Sequence, residues 1–144
     1  MYDDILLPTD GSEGAEVAID HALELAERYG STLHALYVVE RIHTADVGTE
    51  QIIGAMRSEG KRAVAEIAER AEAKGVEAIT EVRVGSPARD ILKYADENGV
   101  DLVVMGTHGR TGLNRYLLGS VTEKVVRLSD VPVLTVRMNN GDEA

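Results

Sequence analysis

The chain has no cysteine. That excludes disulfide bridges, thiolate metal sites and thiol nucleophiles together. Its histidines, His21, His34, His43 and His108, are scattered, with no pair at the helical spacing of a zinc site. No apolar run approaches the roughly 20 residues of a membrane span. The opening MYDDILLPTD carries acids where a signal peptide carries bases. A cytoplasmic protein with no membrane partner is the expectation. Basic clusters are missing too. With 15 Lys and Arg against 25 Asp and Glu, the formal charge is −10, and nucleic acid is not an expected partner. Lysine is scarce: Lys61, Lys74, Lys93 and Lys124 are the only four among the 15 cations. Such a surface suits a high-salt cytoplasm, where self-repulsion is screened, and equally suits ordinary acidic solubility.

With 144 residues, 44% of them apolar, the chain is long enough for one domain, residues 1–144, around a real core. Ile5-Leu6-Leu7 reads as a buried first strand ended by Pro8. A turn, Pro8-Thr9-Asp10-Gly11-Ser12, leads into a helix capped by Asp10 or Ser12 and stopped by Gly30. Leu33–Val39 is the second strand, and residues 40–48 show no period, as in a mobile surface segment. A long helix follows from Thr49 to Lys74, with a possible break near Gly60. Val76–Val84 is the third strand. Ser86-Pro87 opens a third helix, whose stripe is Ile91, Leu92 and Ala95. Leu102–Met105 is a fourth strand, apolar enough to be covered on both faces. Ser120-Val-Thr-Glu123 has the form of a capping box, opening a helix with Val121, Val125 and Leu128 inward. Val131–Val136 is the last strand, and residues 139–144 are a polar tail expected to fray.

Strands alternating with helices predict an α/β fold with a parallel sheet, right-handed crossovers and helices on both faces. Ligands of such sheets bind beyond the carboxyl ends of the strands, where the winding direction reverses. A strand order of 3-2-1-4-5 would put that point between the first and fourth strands, with Asp10 opposite the loop after Met105.

That loop, GTHGRTGLNRYLLGS from Gly106 to Ser120, concentrates glycine and excludes acid. The 21 residues between Asp101 and Glu123 hold no carboxylate, where an even spread of the chain's 25 acids would put about 3.6. Glycines let backbone N–H groups approach an anion closely, and a helix N-terminus beside them adds its dipole. Arg110 and Arg115 are within reach of phosphate oxygens in such a loop, or are solvated loop arginines; His108 reads as a pocket residue. Ser120 is a cap that can also meet a phosphate. Asp10 either caps the first helix or meets a ribose hydroxyl or a metal ion, while Ser12 reads as a cap. The Gly-Lys-Ser/Thr ending of a Walker A loop is absent, and no Gly-x-Gly-x-x-Gly follows the first strand.

The pattern Gly106-x2-Gly109-x9-Gly119-Ser120, following the fourth strand, resembles the nucleotide-binding signature of the universal stress protein family. ILLPTDGSEGAEVAIDHALELA, LHALYVVE and DLVVMGTHGRTGLNRYLLGSVTEKVVRLSDVPVLTV extend the resemblance over nearly the whole chain. It implies a flavodoxin-like, Rossmann-like three-layer sandwich with a five-stranded parallel sheet of order 3-2-1-4-5. By the same analogy Pro8, Thr9 and Asp10 border the adenosine, and the backbone of Val38 meets the adenine. Gly106, Thr107, His108, Gly109, Arg110, Thr111 and Gly112, with Gly119, Ser120, Val121 and Thr122, wrap the phosphates. The implied ligand is ATP (or ADP or AMP) with Mg2+ or Mn2+. The implied role is a stress-response switch or sensor, dimeric through the last strand. A slow ATPase, an adenylyl transferase and a purely structural interaction module are the alternatives. No constellation nominates a general base, so efficient hydrolysis is not expected.

Overall fold

A computed structural model describes residues 1–41, 49–107 and 118–137. Among these, strands and helices alternate as β1 (Asp4–Thr9), α1 (Glu13–Tyr29), β2 (Thr32–Glu40), α2 (Thr49–Ala73), β3 (Glu77–Gly85), α3 (Pro87–Glu97), β4 (Leu102–Gly106), α4 (Ser120–Leu128) and β5 (Val133–Val136). The strands form one parallel sheet in the order β3-β2-β1-β4-β5. This is the Rossmann-like three-layer α/β arrangement expected from the sequence. The aperiodic segment within 42–48 and the tail beyond residue 137 lie outside the described residues.

Each central strand is apolar on both sides because each side meets a helix layer. Ile5 and Leu7, with Leu33, Ala35, Tyr37 and Val39, pack against α1 and α2. Leu6, Leu36, Val103 and Met105 point the other way, into a second cluster with α3 and α4. Burying each such Leu or Ile stabilises the fold by roughly 1.5–3 kcal/mol.

The strands differ in how far they stay together, and this opens the sheet. Pairing of β1 with β4 covers only Ile5↔Leu102 and Leu6↔Val103. On its other side β1 stays with β2 as far as Thr9↔Tyr37, and β2 with β3 as far as Glu40↔Gly85. A crevice therefore opens between the carboxyl ends of β1 and β4, with the end of β2 standing above it.

This parting explains why Pro8 does not end the first strand. The Asp3 carbonyl accepts from Thr32 N–H (2.9 Å) on β2, and the Asp4 carbonyl accepts from Asp101 N–H (3.0 Å) beside β4. Odd positions of β1 thus bond toward β2 and even ones toward β4. The missing N–H of Pro8 faces the crevice, where no ladder bond is lost.

One open alternative is settled and four other expectations change. Ser12, not Asp10, is the α1 cap, accepting from Ala15 N–H at 3.4 Å. Helix α2 runs unbroken: a Cβ on Gly60 would lie 2.6 Å from Cδ1 of Tyr37, so this glycine marks a close approach to β2. The capping box on Ser120 does not form; Gly119 holds the cap position without a side-chain bond, and Glu123 pairs with Arg127. Leu128 is exposed and Thr122 takes the inward position. The last strand begins at Val133, two residues later than expected, although the Pro132 carbonyl already accepts from Val103 N–H.

Candidate functional site

A cavity of about 390 Å3 fills the crevice. Pro8, Thr9 and Asp10 line it from β1, Val38 from β2, Gly106 from β4, and Gly119, Ser120, Val121 and Thr122 from the start of α4. Thr107 is not on the wall but ties it together. His108, Gly109, Arg110, Thr111, Gly112 and Arg115 lie outside the described residues. Sequence reasoning missed the side walls: Ala15, Glu40 and Met56 among them, and Pro87, Ile91 and Met105 on the α3 side. Their apolar members read as ordinary core in any helical or strand pattern, and only the strand-end position of Glu40 was a usable signal.

The floor of the cavity is the first turn of α4. The first bond of the helix runs from Glu123 N–H to the Gly119 carbonyl, 2.8 Å. The N–H groups of Ser120, Val121 and Thr122 therefore have no acceptor within the helix. Gly119, at φ −60° and ψ 155°, offers no side chain to cap them. All three residues line the cavity, where the positive end of the helix dipole also points.

Two bonds set this turn against the end of β4. Gly119 N–H donates to the Thr107 carbonyl (2.7 Å), and the Thr122 hydroxyl donates to the Gly106 carbonyl (2.9 Å). Thr122 is 4% exposed. Its hydroxyl is thus spent on holding strand to helix, and its N–H is the group left for a ligand. On the next strand Thr107 N–H donates to the Val136 carbonyl, so β5 supports the same corner.

Across the crevice, the turn after β1 is held by its own side chains. Asp10 Oδ1 accepts from Ser12 N–H (2.9 Å) and Thr9 Oγ1 from Gly11 N–H (3.1 Å). Gly11 sits at φ 79°, which a side chain would resist. The turn keeps the Asp10 carboxylate on the cavity wall.

The third wall is a strand edge. Thr32 N–H bonds toward β1, while Arg41 N–H donates to the Gly85 carbonyl (3.0 Å) on the β3 side. Alternation along β2 then turns the N–H and C=O of Val38 and Glu40 toward β1, beyond its last paired residue Thr9. The pairing of Thr9 with Tyr37 takes up the Val38 N–H on the Thr9 carbonyl, so Val38 presents its carbonyl to the cavity.

Asp10 and Glu40 are the charged side chains on the described wall, so positive potential there comes from backbone N–H groups. Among the described residues no three His, Asp or Glu side chains are grouped to hold a metal ion, and no helix is long and apolar enough to cross a membrane. Among the described residues an elaborate polar network lies elsewhere. Buried His34 bonds the Tyr94 hydroxyl (2.7 Å) through Nδ1 and Asp4 (2.9 Å) through Nε2. Burial raises the Tyr94 hydroxyl above its ordinary value, and a hydrogen bond to Glu81 raises Arg83, whose guanidinium stands 5.1 Å over the Tyr94 ring. This network joins β1, β2 and α3, and none of its members lines the cavity.

Residues 1–137 match the model of the universal stress protein family. A universal stress protein of Methanocaldococcus jannaschii, MJ0531, is 38% identical over 141 residues, 95% of this chain and 83% of its own. The solved structure of MJ0577, described as a hypothetical protein assigned its biochemical function from structure, superposes with a TM-score of 0.88 at 35% identity, covering 97% of this chain and 99% of its own. A universal stress protein solved in complex with cAMP gives 0.74 at 25% identity over 96% of this chain and 99% of its own. One from Archaeoglobus fulgidus in complex with dAMP gives 0.68 at 25% over 93% and 97%. Sequence, sheet order and crevice agree, and the chain belongs to the universal stress protein family.

Proposed function

We propose that this protein binds ATP, or its products ADP and AMP, in the β1–β4 crevice and acts as a nucleotide-dependent switch or sensor in a stress response. The observation that carries the reading is the uncapped first turn of α4, with the N–H groups of Ser120, Val121 and Thr122 on the wall of a crevice at the sheet's switch point. A phosphate there gains about 0.3–1 kcal/mol from the dipole, and up to ~2 when partly buried, besides its hydrogen bonds. At the far wall, the Val38 carbonyl would accept from the adenine amino group. Guanine carries a carbonyl oxygen in place of that amino group and would offer the Val38 carbonyl no donor there. Pro8, Thr9 and Asp10 would flank the ribose, with the Asp10 carboxylate accepting from a hydroxyl. Two relatives, solved in complex with cAMP and with dAMP, support an adenine nucleotide as the ligand class.

The described wall fits a divalent cation only as a companion of the phosphates, with Asp10 as the one carboxylate near them. Mg2+ is commonly held in that way, by one or two carboxylates plus phosphate oxygens. Mg2+ or Mn2+ would neutralise phosphate charge. Gly106 and Thr107, with residues 108–112, would close over the phosphates. The protein would pair through β5, an edge strand on which Leu134 is exposed.

Isothermal titration with Mg-ATP tests binding; no heat and no thermal shift at millimolar nucleotide would sink the reading. Gly119→Val fills the anion site, and the φ of −60° there suits valine, so binding should vanish with the fold intact. Phosphate or pyrophosphate release that disappears in Asp10→Ala would instead make the protein an enzyme. Sedimentation of wild type against Leu134→Lys reports on the dimer: a wild-type monomer rejects it.

A further inference from the structure

The cavity has two halves of different chemistry. One is the amide floor at α4. The other is the Val38 edge, and it is walled by side chains from both helix layers. Met56 of α2 packs with the core cluster on the α1/α2 side, and Ile91 and Met105 with the one on the α3/α4 side; Ala15 of α1 also lines the cavity. A strand edge presenting the Val38 carbonyl, covered above and below by apolar side chains, is a slot in the plane of the sheet. A flat heteroaromatic ring fits it edge-on, where β1 would have continued.

We infer that Met56 is a specificity-determining residue: its thioether side chain closes one face of this slot, selecting a planar base and contributing to base affinity but not to phosphate affinity. The inference rests on the nucleotide reading above. Met56 is the α2 residue on the described cavity wall, and its position follows from a close contact one turn further on. Gly60 lies four residues on, on the same helix face, and rides directly on the Tyr37 ring, with a Cβ there 2.6 Å from Cδ1 and 2.9 Å from Cγ. Tyr37 precedes Val38. The contact therefore fixes the height of α2 above the strand edge that presents the Val38 carbonyl. Methionine suits this place because its sulfur packs well against an aromatic ring and its unbranched chain follows the ring's surface. In the helical pattern alone Met56 is one more apolar core residue, which is why no motif points to it.

The test compares Met56→Ala and Met56→Leu with wild type by calorimetric titration, using adenosine, AMP and inorganic tripolyphosphate as separate probes. Met56→Ala should weaken adenosine and AMP by about tenfold and by the same factor, a sulfur–ring contact plus lost apolar cover. Tripolyphosphate should bind all three proteins alike, and Met56→Leu should recover most of the loss. Unchanged adenosine and AMP affinity in Met56→Ala, with wild type binding both, overturns this inference alone. Equal weakening of tripolyphosphate also overturns it, because Met56 would then act on the whole crevice. A wild type that binds no adenosine, AMP or ATP overturns the nucleotide reading and this inference with it.

Discussion

Thr122→Val removes one hydroxyl and almost no volume. In the folded protein that hydroxyl donates to the Gly106 carbonyl at 2.9 Å, within a side chain that is 4% exposed. Valine keeps the methyl packing but leaves the carbonyl without this donor. An intramolecular hydrogen bond contributes about 0.5–1.5 kcal/mol net, and a buried acceptor left unmet costs about 1–3 kcal/mol. The expected destabilisation is therefore about 1–3 kcal/mol, or roughly 3–10 °C in Tm for a domain of this size. Thr122→Ser keeps the donor and loses one methyl, so it should cost about 1 kcal/mol or less. Urea unfolding would separate the two, with the midpoint moving and the slope constant. The remaining tie between strand and helix is the 2.7 Å bond from Gly119 N–H to the Thr107 carbonyl, which leaves the first turn of α4 free to tilt. Thr122→Val should therefore also lose ATP affinity several-fold, and Thr122→Ser should retain it. Equal stability and equal affinity for the two variants would refute the view that this hydroxyl positions the anion floor.

Other expectations follow from single contacts. Gly54→Ala meets nothing within 4 Å and should stabilise α2 by up to about 1 kcal/mol, whereas Gly60→Ala collides with the Tyr37 ring and should cost roughly 1–3 kcal/mol; the reverse order in thermal melts would contradict the close-approach account. Pro8→Ala should cost no more than about 1 kcal/mol, the unfolded-chain entropy alone, and a larger loss would mean Pro8 does more than face the crevice. Tyr94, whose ordinary value is 10.0, is raised by burial. Below pH 10 both folded and unfolded chains keep its proton; above it the unfolded chain releases the proton first, so stability falls as pH rises. Tyr94→Phe should be less stable than wild type near neutrality, having lost the His34 bond, and the gap measured by denaturant melts should narrow above pH 10.

The order of elements was legible because each strand is an apolar run and each helix an apolar stripe, with Gly30, Gly75 and Gly99 closing helices at positive φ. Gly106, Gly119 and Ser120 pointed to the crevice because glycine and missing carboxylates are properties of composition. Pro8 misled, since a proline ends a strand only where its N–H is needed, and the parting of β1 from β4 is a tertiary fact. Gly60 misled likewise: propensity counts it as a weak point, while the space it gives Tyr37 appears only after packing. Ser120-x-x-Glu123 has the letters of a capping box, yet the helix begins one residue earlier than that motif requires and Glu123 turns to Arg127. Met56, Ile91 and Met105 were invisible as cavity residues because apolar wall and apolar core are the same letters.

The central claim is that adenine nucleotide sits with phosphates on the α4 turn and base on the Val38 edge. Backbone amide resonances, followed by 1H–15N correlation spectra during titration with Mg-ATP, test it most directly. The account predicts that Val38, Ser120, Val121 and Thr122 shift together on one saturable curve, with Val38 alone silent when tripolyphosphate replaces ATP. Saturable shifts confined to other residues, or none at millimolar nucleotide, would contradict it.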